Sequence, residues 1–137
     1  MRCFFVCTLA LFFCSNLIAQ QNDNNDDIVK TFTKVELNAE PDAKAWADYL
    51  KKASRLPTSV AANIPAGVYK ITVQFIVDVY GNLGSAEAKN NPGYGLAKRA
   101  EKIILSYDGV WKPANQCGRN VKSYKNQVVE FVVKKEL

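Results

Sequence analysis

From Tyr69 to Val79 the chain places an apolar side chain at every second position: Tyr69, Ile71, Val73, Phe75, Val77 and Val79. Lys70, Thr72, Gln74, Ile76 and Asp78 stand between them. A period of two belongs to a strand, whose successive side chains point to opposite faces. A helix cannot use this pattern, because its apolar residues must recur three and four positions apart. The segment therefore demands a long strand with one face on a core, and the rest of the fold has to cover that face.

The flanking segments supply the cover. Gly81-Asn82 provides turn residues, and Leu83 to Ala88 reads as the second, shorter strand of a hairpin. Upstream, Pro41 is tolerated in a first helical turn, and Trp46, Tyr49, Leu50 and Ala53 follow at helical spacing with Asp48, Lys51 and Lys52 on the other side. Leu56-Pro57 ends this helix, and Ser59 to Asn63 reads as a short turn. Downstream, the loop Asn91-Pro92-Gly93-Tyr94-Gly95 opens a second helix whose buried stripe is Leu96, Ala100, Ile103, Ile104 and Tyr107. Trp111-Lys112-Pro113-Ala114 terminates the helical region, Gly118 belongs to a turn, and Val128 to Val133 forms a last strand. Phe32 to Asn38 reads as a weak strand or extended arm. The expected class is α+β, with two helices packed on one face of a small, mainly antiparallel three-stranded sheet. Trp46, Tyr69, Ile71, Val73, Phe75, Ile103, Ile104, Trp111 and Phe131 are expected in or near the core, and Trp111 and Pro113 have architectural roles.

The N-terminal part reads differently. Residues 3–14 are apolar at eleven of twelve positions, Arg2 precedes them, and Leu17-Ile18-Ala19 places a small residue before a polar stretch. This is the layout of a secretory signal peptide, expected over residues 1–19. Residues 20–31, QQNDNNDDIVKT, form a polar, acidic lead-in with little to bury, and one domain is expected over residues 32–137. Two alternatives stay open for the first segment: an uncleaved inner-membrane anchor, or lipid attachment at Cys14.

The composition excludes much chemistry. The chain has no histidine, which removes imidazole bases, Ser-His and Cys-His pairs and His-ligated metals. Of four cysteines only Cys117 lies beyond residue 19, so the domain has no internal disulfide or Cys-rich zinc site. Gly93-Tyr94-Gly95 before a helix lacks the third glycine of a dinucleotide fingerprint, since Lys98 stands there. Asp78 and Glu87 sit on the two hairpin strands and are the one carboxylate pair placed to face each other. No nucleophile has a base, so no enzyme activity and no cofactor is expected. Net charge is +5, with seven acids against three bases in residues 22–48 and six bases against two acids in residues 112–137. The bases are spaced singly along an exported chain, which argues against a nucleic-acid partner.

The order of these features resembles the C-terminal domain of the TonB energy transducers. The marks are the glycine-led strand from Gly67 ending in Asp78-Val79-Tyr80-Gly81, Trp111-Lys112-Pro113-Ala114 after the second helix, Gly118 a few residues on, and the closing pattern around Phe131. The resemblance covers residues 32–134, and Pro41 to Pro57 is similar to the leading helix of one subgroup of these domains. It implies a periplasmic binding module for the short N-terminal peptide, the TonB box, of outer-membrane transporters. The last strand would accept that peptide, at Gln127, Val128, Val129, Glu130, Phe131, Val132 and Val133, with Lys125, Lys134 and Lys135 drawing acidic neighbours. Leu56-Pro57 stands where the family has a Tyr-Pro segment that approaches the transporter.

The family's transducers also carry an inner-membrane helix and a long proline-rich arm. Residues 20–31 would span only roughly 40 Å when fully extended. A soluble peptide-binding adaptor is therefore the leading expectation. A short anchored transducer and a structural envelope protein that binds peptidoglycan are the alternatives.

Overall fold

The computed structural model describes residues 31–135. The expected signal peptide and residues 20–30 of the lead-in lie outside the described residues, as do Glu136 and Leu137. The elements run helix α1 (Ala43–Ala53), helix α2 (Thr58–Ala61), strand β1 (Gly67–Val77), strand β2 (Leu83–Ala88), helix α3 (Leu96–Leu105), strands β3 (Ala114–Gln116) and β4 (Arg119–Val121), and strand β5 (Ser123–Val133). A three-stranded antiparallel sheet has the order β2-β1-β5, and β3 and β4 form a separate two-stranded ribbon.

The alternation in β1 decides the layers. Ile71, Val73, Phe75 and Val77 are fully buried, whereas Thr72, Gln74 and Ile76 are half-buried on the opposite face. Leu96, Ala97, Ala100, Ile103 and Ile104 of α3 are buried and pack this helix on β1 and β2. From α1, Trp46 enters the same core, with its ring 4.7 Å from Tyr107 and 5.2 Å from Trp111, edge-on to both. Trp111 in turn stands 5.3 Å from Phe75. Edge-on geometry suits aromatic quadrupoles and adds to the area they bury. Asp42 caps α1, its Oδ1 accepting from the Ala45 N–H at 2.9 Å, and the Tyr49 hydroxyl ties α1 to α3 by donating to the Ile103 carbonyl at 2.7 Å.

The mixed α+β layout and the three-stranded sheet agree with the sequence reading, as does Tyr69, which is half-buried against the core with its hydroxyl donating to the Pro65 carbonyl at 2.9 Å. Three details do not. The Ser59–Asn63 region holds one helical turn, α2. The β3–β4 ribbon was not anticipated. Asp78 and Glu87 do not face each other: Glu87 lies opposite Gln74, while Asp78 turns inward on its own loop. There Asp78 Oδ1 accepts from the Tyr80 and Asn82 N–H groups at 2.8 and 2.9 Å. Partial burial pushes this carboxyl up, but these bonds outweigh it and hold the group below the ordinary aspartate range. The same loop carries Gly81, whose N–H bonds Asp78 and whose carbonyl accepts from Trp111 at 3.0 Å. A Cβ on Gly81 would stand 1.9 Å from the Trp111 carbonyl oxygen, at a φ of +86°, so only glycine fits.

Candidate functional site

The sheet has two edges, and they differ. Along β2, three residue steps from Gly84 to Glu87 face two steps on β1, with Ser85 at φ +48°. This is a β-bulge, a common device for blunting an edge. Glu101 of α3 adds a cover, its Oε1 accepting from the Ala88 N–H at 3.0 Å. That N–H, followed by Lys98, holds the Glu101 carboxyl below its ordinary range. Strand β5 carries no bulge. Its register with β1 runs unbroken from Gly67↔Val133 to Val77↔Ser123.

The groups that β5 turns outward follow from hydrogen bonds on the far side of β1. Thr72 uses both backbone groups toward β2, accepting from Lys89 N–H and donating to Asn90 Oδ1 at 2.8 Å each. The Lys70 carbonyl likewise accepts from Asn90 Nδ2 at 2.8 Å. Thr72↔Val128 and Lys70↔Glu130 are therefore the pairs without mutual hydrogen bonds. Alternation along an antiparallel ladder then directs the N–H and C=O of Asn126, Val128, Glu130 and Val132 away from β1. Tyr124 fits the same parity, since its N–H donates outward to the Phe32 carbonyl at 2.9 Å. Phe32 N–H also donates to Lys122, so the N-terminal arm occupies the first rung of this edge. The arm then leaves β5 and pairs through Leu37 and Glu40 with Asn115 and Lys112.

Side chains alternate in step with the backbone. Val129, Phe131 and Val133 are buried, whereas Val128 and Val132 are 48% and 49% exposed. Glu130 points to the open face and pairs with Lys70 at 3.5 Å. Lys125 and Gln127 are half-buried and share the parity of the core residues. Beside the edge runs a groove of about 430 Å³, lined by Leu50, Lys51, Ser54 and Arg55 of the α1 region and by Val128, Val129, Glu130 and Val132. A second hollow of about 460 Å³ shares Val132 and is lined by Leu56, Thr58, Ala61, Ala62, Lys134 and Lys135. The edge is thus walled on one side by α1 and α2, and the wall is basic. Glu130 is the one acid in either lining.

Gln127 bridges wall and edge. Its Oε1 accepts from Trp46 Nε1 at 2.9 Å, and its Nε2 donates to the Val128 carbonyl at 2.9 Å. Nothing in the residue pattern signals this contact, and Lys51 reads there only as part of the polar face of α1.

The other expected site residues fall elsewhere. Leu56 lines the second hollow, and Pro57 is the exposed residue preceding α2. Gly93, Tyr94 and Gly95 all have positive φ, at 94°, 57° and 71°, and turn the chain into α3. Tyr94 meets Tyr69 edge-on at 6.1 Å. Trp111 and Ala114 are buried, Lys112 pairs its backbone with Glu40, and Pro113 is half-buried between them. Gly118, at φ +76°, makes the β3–β4 turn with Cys117. Cys117 is a free, exposed thiol. Among the described residues no helix is long and apolar enough to cross a membrane, and no group of acids and cysteines is placed to hold a metal. No protein-family model matches the chain, and no curated protein matches it.

Proposed function

We propose that this protein is a TonB-like binding module of the periplasm that takes up an extended peptide as an added strand along β5. The observation carrying the reading is the unbulged edge, with four residues from Asn126 to Val132 directing both backbone groups away from β1 beside a walled groove. Main-chain hydrogen bonds to such an edge supply affinity, and alternate side chains supply selection. An added strand would turn every second side chain toward Leu50, Lys51, Ser54 and Arg55, which favours small apolar and acidic residues there. Lys134 and Lys135 extend the basic wall at the far end. The peptide we favour is the box near the N-terminus of outer-membrane transporters, which links the module to transport across that membrane.

The test is titration with such N-terminal peptides, followed by backbone amide NMR. Shifts concentrated at Asn126, Val128, Glu130 and Val132 are expected. Saturable binding that instead moves the Asn91–Gly95 loop would refute the site. Intact mass from the native envelope decides localisation: loss of residues 1–19 supports a periplasmic adaptor, and their retention supports the anchored transducer.

A further inference from the structure

The Gln127 carboxamide is chemically a peptide group, with one face that donates and one that accepts. Its orientation is fixed by its neighbours, because an indole nitrogen can only donate and a carbonyl can only accept. Oε1 must therefore face Trp46 and Nε2 must face Val128, each at 2.9 Å. The Val128 carbonyl is one of the outward groups of the open edge. One of its two acceptor positions is already taken by the chain itself.

We infer that Gln127 is a latch on this edge: its side-chain amide stands in for a peptide unit of a docking strand and has to be displaced before that strand can pair across Val128. The inference rests on strand addition at β5. The latch divides the edge. Glu130 and Val132 are free to pair at once, whereas Val128 and Asn126 are reached only after Gln127 rotates away. Docking thus starts at the Val132 end, beside Lys134 and Lys135, and zips toward the arm at Phe32.

Displacement has a second consequence. Trp46 is 6% exposed, so its indole N–H would lose its acceptor inside a nearly dry site, and an unpaired buried donor is costly. A docking strand that turns an acceptor side chain toward α1 at this level, such as threonine, asparagine or a carboxylate, restores the bond. One that turns valine or leucine there leaves the indole orphaned. Gln127 and Trp46 together therefore select a polar acceptor at one position of the incoming strand, flanked by residues read by backbone alone.

The probe is a blocked, neutral peptide of alternating threonine and valine, about seven residues long to match the open edge. It is titrated into the protein, into Gln127→Glu and into Gln127→Ala, with chemical denaturation showing that all three are folded. Gln127→Glu keeps an acceptor for Trp46 but has no N–H for Val128. Gln127→Ala removes both bonds without adding charge. In the unsubstituted protein the Gln127 side-chain amide and Trp46 indole N–H resonances should move together with the Val128 amide. Gln127→Glu should bind about two- to ten-fold more tightly, the range one neutral hydrogen bond covers. Binding to the variants alone would also support the latch, as a latch too strong for this probe. Binding that moves the Val128 amide but leaves Gln127, Trp46 and the affinity of both variants unchanged overturns the latch and leaves strand addition standing. Failure of all three folded proteins to bind overturns both.

Discussion

Two neighbouring prolines separate the edge from the ladder. Val128 and Val129 are adjacent valines, yet their N–H groups point in opposite directions. In Val128→Pro no bond to β1 is lost, and the replaced side chain is 48% exposed. The cost to stability should be on the order of 1 kcal/mol, the span of strand preferences, because proline is tolerated where the missing N–H faces outward. In Val129→Pro the ladder loses a bond to Ile71, about 1 kcal/mol. The Ile71 carbonyl is left unpaired in a fully buried position, which adds roughly 1–3 kcal/mol, and a side chain 1% exposed is repacked. The total should exceed about 3 kcal/mol. Urea unfolding measures both, and peptide titration of the folded Val128→Pro protein measures the edge. Loss of one docking N–H, with a ring in the path of the added strand, should weaken binding by at least about five-fold. Equal destabilisation by the two prolines would refute the derived parity of β5. A folded Val128→Pro protein that binds like the parent would refute docking across Val128.

Phe75→Ala, which empties a fully buried site between Trp46 and Trp111, should cost about 3–5 kcal/mol in urea unfolding. Gly81→Ala should lose more than about 2 kcal/mol in the same assay, because its Cβ meets backbone rather than a movable side chain. Glu101 is held below the ordinary glutamate value of 4.5, first by the Ala88 N–H. The unfolded chain therefore binds its proton more readily, so the stabilisation is complete above about pH 4.5 and is lost as pH falls through the depressed value. Glu101→Gln should accordingly flatten the acid limb of a stability–pH curve. Tyr49→Phe deletes the bond to the Ile103 carbonyl and should cost about 1 kcal/mol by thermal or urea denaturation.

What could be read from residues alone was whatever depends on local period. The alternation of β1 marked both the strand and its buried face, and the spacing of Leu96, Ala100, Ile103 and Ile104 marked α3. The closing strand was legible as a strand, but the direction of its N–H groups was not. That direction is set by which β5 residue stands opposite Thr72, a matter of pairing rather than composition. Contacts between distant segments were equally silent. Trp46 and Gln127 lie 81 residues apart, and neither residue type signals the other. The β3–β4 ribbon has no signature in the residue pattern because three-residue strands are too short to alternate, and Cys117 carries a positive φ that its residue type does not advertise.

The pairing of Phe32 with Lys122 and Tyr124 sets a mechanical order of events. The arm is held to β5 by two backbone hydrogen bonds, at 2.8 and 2.9 Å, and further along by paired bonds at Leu37 and Glu40. Tension carried along the chain from the N-terminal side reaches Phe32 first, then Leu37, then Glu40, and only afterwards α1. These fasteners lie in series ahead of α1. Releasing the first also uncovers the Tyr124 rung and lengthens the open edge by one pair. A pull on the arm would therefore lengthen the free edge of β5 before it reached α1.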